Sequence, residues 1–282
     1  MVYRLFSKNR FKGPALLLAA ALFLGSCSSY QYAASDKEYK RMAKEYAKTL
    51  RATPPQGQFI DSLNNEQHFV GTVNMGMRKP NYVIIHHTAQ DSTTQTLRTF
   101  TIKRPQTSAH YVIGRDGKVF QMVNDYLRAQ HAGVGKWGSV TDMNSCSIGI
   151  EMDNNGTTDP WTDAQINSLC SLLSTLKKKY AIPTANFIGH ADFAPGRKND
   201  PLHFPWKTLA QKGFGYWYDD VLSVPPADFD AMLALRLIGY NTARPEYAIE
   251  AFKIHFIPGN EASKTLSDSD KMVLYNLYKK YL

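Results

Sequence analysis

Ser147-Ile148-Gly149-Ile150-Glu151-Met152 is followed, fourteen residues on, by a stripe of Ile166, Leu169, Cys170, Leu173, Leu176 and Tyr180. The first stretch alternates, with Ile148 and Ile150 on one face and Gly149 and Glu151 on the other, which is the period of a strand. The second has the three-to-four spacing of a helix over Thr162–Tyr180, with Thr162 or Asp163 as its cap. A strand feeding a helix points to an α/β domain. Further strands are expected at Phe69–Val73, Tyr82–His86, His110–Ile113 and Val119–Val123, with the turn Gly114-Arg115-Asp116-Gly117 between the last two. The expected fold is therefore α/β, with a central mixed β-sheet flanked by helices.

The ends of the chain read differently. Arg4, Lys8, Arg10 and Lys12 precede a ten-residue apolar core, Ala15–Leu24, too short to span a bilayer; this is a secretory signal. Leu24-Gly25-Ser26-Cys27 resembles a bacterial lipobox, which implies a lipid on Cys27 and an exported lipoprotein anchored to a membrane. Ser28 after the cysteine resembles lipoproteins sorted to the outer membrane, here facing the periplasm. Residues 1–26 hold four of the 33 basic residues and none of the 24 acidic ones, so their removal lowers the net charge from +9 to +5. That balance, with no basic block carrying interleaved aromatics, argues against nucleic acid and suits an acidic polymer such as a cell wall.

A helix is expected over Ser35–Arg51, ended by Thr53-Pro54-Pro55. After Val224-Pro225-Pro226, Ala227–Ile238, Ala243–His255 and Ser267–Leu282 read as three short amphipathic helices. The expected organisation is a signal over 1–26, a tether and helix over 27–56, a catalytic domain over 57–224 and a small C-terminal three-helix domain over 225–282. Cys146 and Cys170 are read as buried and free.

The chemistry is concentrated in His190-Ala-Asp-Phe-Ala-Pro-Gly-Arg-Lys-Asn-Asp200. A histidine and a carboxylate joined by the turn formers Pro195-Gly196 can fold back on one metal ion. His86 or His87, at the end of the apolar run Val83-Ile84-Ile85, would supply a third ligand and complete a catalytic zinc site. Glu151 at its strand end is a candidate general base, or a carboxylate paired with an arginine. Lys198 is either an oxyanion-stabilising cation or a solvated loop lysine. His110 and His131 could be ligands by type or hydrogen-bonded structural histidines. His68, His203 and His255 are read as structural.

Ile84-Ile85-His86-His87-Thr88-Ala89, Ser108-Ala109-His110-Tyr111, His131-Ala132-Gly133, Ser147–Glu151 and the His190 loop occur in the order seen in type-2 N-acetylmuramoyl-L-alanine amidases, which residues 65–210 resemble. The resemblance implies hydrolysis of the amide between N-acetylmuramic acid and the L-alanine of the stem peptide. It implies Zn2+ held by His86, His190 and Asp200, Glu151 as acid/base and Lys198 on the oxyanion. His86 is chosen over His87 from the Ile-Ile-His-x-Thr register, and strand alternation sends the two side chains to opposite faces. His110, His131, Trp137, Asn144 and Arg197 are expected to line the groove and contact substrate. The C-terminal helices resemble the wall-associated domain of lipid-anchored members. The implied partners are peptidoglycan or muropeptides and, through Cys27, a membrane, the protein itself being a monomer. A competing expectation is a non-catalytic peptidoglycan-recognition lipoprotein.

Overall fold

The structure, a computed structural model, describes residues 30–52, 71–77, 79–104 and 106–282. The signal segment and Cys27 lie outside the described residues, as does the start of the strand expected over 69–73, whose described part carries no strand. Two compact units are present. The N-terminal one contains α1 (Ala33–Leu50), whose Asp36 and Lys48 sit at the helix ends where their charges favour the dipole. Among the described residues no helix is long and apolar enough to cross a membrane.

The second unit runs in the order β1 (Tyr82–His87), α2 (Thr93–Thr101), β2 (Tyr111–Ile113), β3 (Val119–Gln121), β4 (Ser147–Met152), α3 (Asp163–Tyr180), β5 (Phe187–Gly189), α4 (His190–Phe193), α5 (Trp206–Gln211), α6 (Ala231–Ile238), α7 (Pro245–Phe256) and α8 (Asp268–Tyr281). The sheet order is β3-β2-β4-β1-β5, with only the β2–β3 hairpin antiparallel. A mixed sheet flanked by helices is thus the observed fold.

Parallel strands β4, β1 and β5 are covered on both faces, which is why Val83–Ile85 reads as a continuous apolar run. On one face, Val83, Ile85, Ile148 and Ile150 pack with Leu169, Leu173 and Leu176 of α3. Thr162 caps α3 in a capping box with Gln165, so the helix begins where the sequence places it. Leu169 is fully buried there, and Leu169→Ala is expected to lower unfolding free energy by about 2–5 kcal/mol, read as a shift in denaturation midpoint.

On the other face a second cluster joins Ile84 and Ile188 of the sheet to Leu235, Phe252, Leu274 and Leu277 of α6, α7 and α8. Gly239, after α6, has φ +136° and faces Trp137, whose indole fills the space a Cβ would need. Between α7 and α8, Lys253 and Asp270 form a buried ion pair at 2.7 Å. Cys170 is a free thiol, and both it and Cys146 are half-buried rather than buried as expected.

Candidate active site

Strand register assembles the site. His86 on β1 pairs in register with Glu151 on β4, and Ile85 pairs with Gly189 on β5, so that His190 follows level with His86. In neighbouring parallel strands residues at one level project to the same face. Three chemically active side chains therefore meet at the carboxyl ends of adjacent strands, where open α/β sheets bind ligands. Asp200 reaches the same point because the chain turns back after α4, with Ala191 N–H donating to Asp200 O at 2.8 Å.

His86 Nδ1 lies 3.0 Å from His190 Nδ1 and 3.1 Å from Asp200 Oδ2, and His190 Nδ1 lies 3.1 Å from the same carboxylate oxygen. The three atoms form a nearly equilateral triangle, and all three residues are buried. His190 Nε2 donates to Ala132 O at 2.9 Å, leaving its Nδ1 a bare lone pair. Burial alone would raise Asp200, but the adjoining imidazoles of His190 and His86 hold it well below the usual carboxylate range. Burial and the neighbouring His190 push His86 down to about 4, so it is neutral at pH 7. Buried acceptors this close repel one another, and no single proton satisfies all three. A divalent cation does, and two imidazoles with one carboxylate are the donor set of a catalytic zinc centre. The residues present fit the ion.

Glu151 stands beside this triangle with a buried Oε2 that has no hydrogen-bond partner. Burial, and then the charge of Asp200, raise its carboxyl well above the usual range, while Lys198 opposes the shift. A carboxyl tuned upward next to a metal-type cluster can accept and return a proton near neutral pH. Lys198 is exposed on the loop, close enough for its charge to act on both Glu151 and His86. His87 points to the other side, as alternation requires. Its Nδ1 accepts from Leu202 N–H at 3.3 Å and its ring lies against Gly156.

Of the five side chains expected to contact substrate, His110, His131, Trp137 and Asn144 are buried and Arg197 is exposed. His110 is fully buried, with Nε2 on Leu127 O at 3.0 Å and Nδ1 accepting from Gly149 N–H at 3.0 Å. Asn144 Oδ1 accepts from His131 N–H and Ala132 N–H at 3.0 and 2.9 Å, holding the loop behind the triangle. Trp137, 5 % exposed, packs edge-on to Tyr240. His131 touches His86, with its Nδ1 3.1 Å from His86 Nε2. Arg197 lies across the 132–134 loop, donating from Nε to Val134 O at 2.8 Å and from Nη2 to Ala132 O at 2.6 Å.

Residues not singled out in the sequence also shape the site. Asp192, buried two positions after His190, accepts from Gly189 N–H, Tyr240 Oη–H and His255 Nδ1–H, each at 2.7 Å. His255 is stacked between Trp206 and Phe256. α4 is a single turn and carries no periodic signal that could mark Asp192. The aromatic and histidine partners lie 48 and 63 residues away.

A mixed-sheet α/β fold with this donor set and an adjacent buried carboxylate defines a hydrolase with a metal-type centre. The chain belongs to the N-acetylmuramoyl-L-alanine amidase family, whose sequence pattern matches residues 76–203, and it is an amidase. It is 34% identical over 209 residues to the N-acetylmuramoyl-L-alanine amidase AmiD of Escherichia coli (strain K12), an alignment covering 62% of this chain and 74% of AmiD. It is 45% identical over 103 residues to the 1,6-anhydro-N-acetylmuramyl-L-alanine amidase AmpD of Enterobacter cloacae, covering 36% of this chain and 54% of AmpD. The fold is similar to that of Pseudomonas aeruginosa AmpDh3 in complex with anhydromuramic pentapeptide, with TM-score 0.65 and 30% identity over 79% of this chain and 98% of that one.

Proposed function

We propose that this amidase is zinc-dependent and hydrolyses the amide between N-acetylmuramic acid and the L-alanine of the stem peptide, in cell-wall turnover or remodelling. The observation that carries the reading is the triangle of His86 Nδ1, His190 Nδ1 and Asp200 Oδ2 beside the unpartnered Glu151 oxygen. AmiD has been crystallised with anhydro-N-acetylmuramic acid-L-Ala-D-gamma-Glu-L-Lys, which supports a muropeptide as the substrate class.

Held by these three residues, Zn2+ would polarise the scissile carbonyl and acidify an attacking water. Glu151 accepts the proton as the water oxygen bonds to the lactyl carbonyl carbon. Lys198 draws the negative charge that develops on the carbonyl oxygen. Glu151 then gives its proton to the L-alanine nitrogen as the carbon–nitrogen bond breaks, and the carboxyl regains its charge. Arg197 and Asn144 keep the His131–Val134 loop in place, and the remaining Arg197 Nη1 is available to a carboxylate of the stem.

Stem peptides should be released from purified peptidoglycan or soluble muropeptides, lost on chelation and restored by added zinc. A protein that binds peptidoglycan but releases nothing with zinc present would leave only the recognition reading. The chain is further proposed to be a lipoprotein, attached through Cys27 to the outer membrane on its periplasmic side. Globomycin-sensitive processing and recovery with outer-membrane fractions test this, and a soluble Cys27→Ala variant should follow.

A further inference from the structure

We infer that His131 is a positioning residue which, together with Ser147, keeps the His86 imidazole in the tautomer whose Nδ1 is bare. The inference rests on the metal-centre reading above and concerns how one ligand is prepared for the ion.

The argument starts at a hydroxyl. Ser147 Oγ donates its proton to Met143 O at 2.6 Å. A serine hydroxyl has one proton. Its contact with His131 Nε2 at 3.2 Å must therefore be one in which the imidazole donates and Oγ accepts. His131 is buried against the rings of His86 and His110 and, among the described residues, forms no ion pair with a carboxylate; a buried imidazole without an acidic partner is neutral. A neutral imidazole carries one N–H. With that proton on Nε2, His131 Nδ1 can only accept, and the group 3.1 Å away is His86 Nε2. His86 therefore donates from Nε2 and presents Nδ1 as a lone pair to His190 Nδ1 and Asp200 Oδ2.

Without Ser147 nothing in this chain of contacts would fix the direction of the protons. His131 could then donate from Nδ1 to His86 Nε2, and the His86 proton would move to Nδ1, between ring and Asp200, where an incoming cation would have to displace it. A fixed backbone carbonyl at the far end removes that choice. His190 is prepared in the same sense by Ala132 O.

The seat for His131 is built as well as its bonds. Asn144 Oδ1 grips the backbone at His131 and Ala132. The imidazole lies over β4 at Gly149, where a Cβ would overlap its ring atoms. A residue with no side chain at 149 is thus what lets the ring approach the end of β1.

The test compares zinc affinity, measured on the full chain by competition with a chromophoric chelator, with the tautomer of His86, read from nitrogen-15 shifts of the metal-free protein. Asparagine at 131 places an acceptor oxygen near the position of Nδ1, whereas leucine supplies none. His131→Leu is expected to lower zinc affinity by about 10–100-fold, as loss of an outer hydrogen-bond partner does, and His131→Asn to lose less than about 10-fold. Ser147→Ala should produce a mixed His86 tautomer. Equal zinc binding by His131→Leu and wild type, or an equal loss in His131→Asn and His131→Leu, overturns the inference. So does metal-free wild type with the His86 proton on Nδ1, a measurement that decides the matter even if His131→Leu does not fold. Wild type that binds no zinc would instead defeat the metal-centre reading, and the spectra would still report the proton order.

Discussion

Replacing Glu151 by glutamine is expected to slow stem-peptide release by about 10²–10⁴-fold while leaving zinc affinity near that of wild type. The amide keeps the shape of the carboxylate but can neither take a proton from water nor return one to the leaving amine. Its three metal-type neighbours are untouched, so binding and chemistry separate. The same substitution has a signature in stability. Glu151 has its carboxyl raised above the ordinary value by burial and by Asp200. A group raised in this way contributes stability below its unfolded value and loses it as pH rises through the folded one. Metal-free Glu151→Gln should therefore melt at a higher temperature than metal-free wild type at pH 8, with the difference shrinking near pH 4. Unchanged turnover in the variant would remove Glu151 from the proton path. A stability difference independent of pH would mean that its charge is not what burial opposes.

Asp192→Ala is expected to lower unfolding free energy by about 3–5 kcal/mol and to weaken zinc binding together with it. One carboxylate accepts from Gly189 N–H, Tyr240 Oη–H and His255 Nδ1–H, and removing it leaves three buried donors with no partner. The loss falls on the single turn that starts at His190. Denaturant midpoint and zinc titration read the two effects. A variant within about 1 kcal/mol of wild type that binds zinc normally would show that neighbouring groups take over all three bonds, contrary to the usual effect of an orphaned buried donor.

Much of the fold was legible because burial leaves a periodic trace. Alternation located β4 at Ser147–Met152, and the helical stripe located α3 to within one residue of Asp163–Tyr180. The three C-terminal helices likewise show in their apolar spacing, although α6 begins four residues later than expected because Asp230 caps it. β5 did not show, since three residues of strand carry too little pattern, and α2 has mostly threonine and glutamine on its exposed side. The site divides along similar lines. His86, Glu151, His190 and Asp200 stood out because each lies at a strand end or turn with chemistry to offer, and strand pairing brings them to one level. Trp137, Asn144 and His110 also attract attention by residue type, yet their burial depends on partners distant in sequence. No spacing rule reveals that Asn144 will hold the backbone of His131, or that Tyr240 will close on Asp192.

The bonds from Asp192 to Tyr240 and His255, with Trp137 set against Gly239, bear on how such a chain can be recombined. The residues that brace the His190 turn, Tyr240 just after α6 and His255 on α7, come from the helical segment that follows the amidase pattern. Those helices therefore cannot be exchanged like a cassette. A chimera that grafts a different helical module after residue 224 would inherit an Asp192 with two empty donors' places and an indole without its cover, so shuffling should succeed only when the graft carries equivalents of Tyr240 and His255.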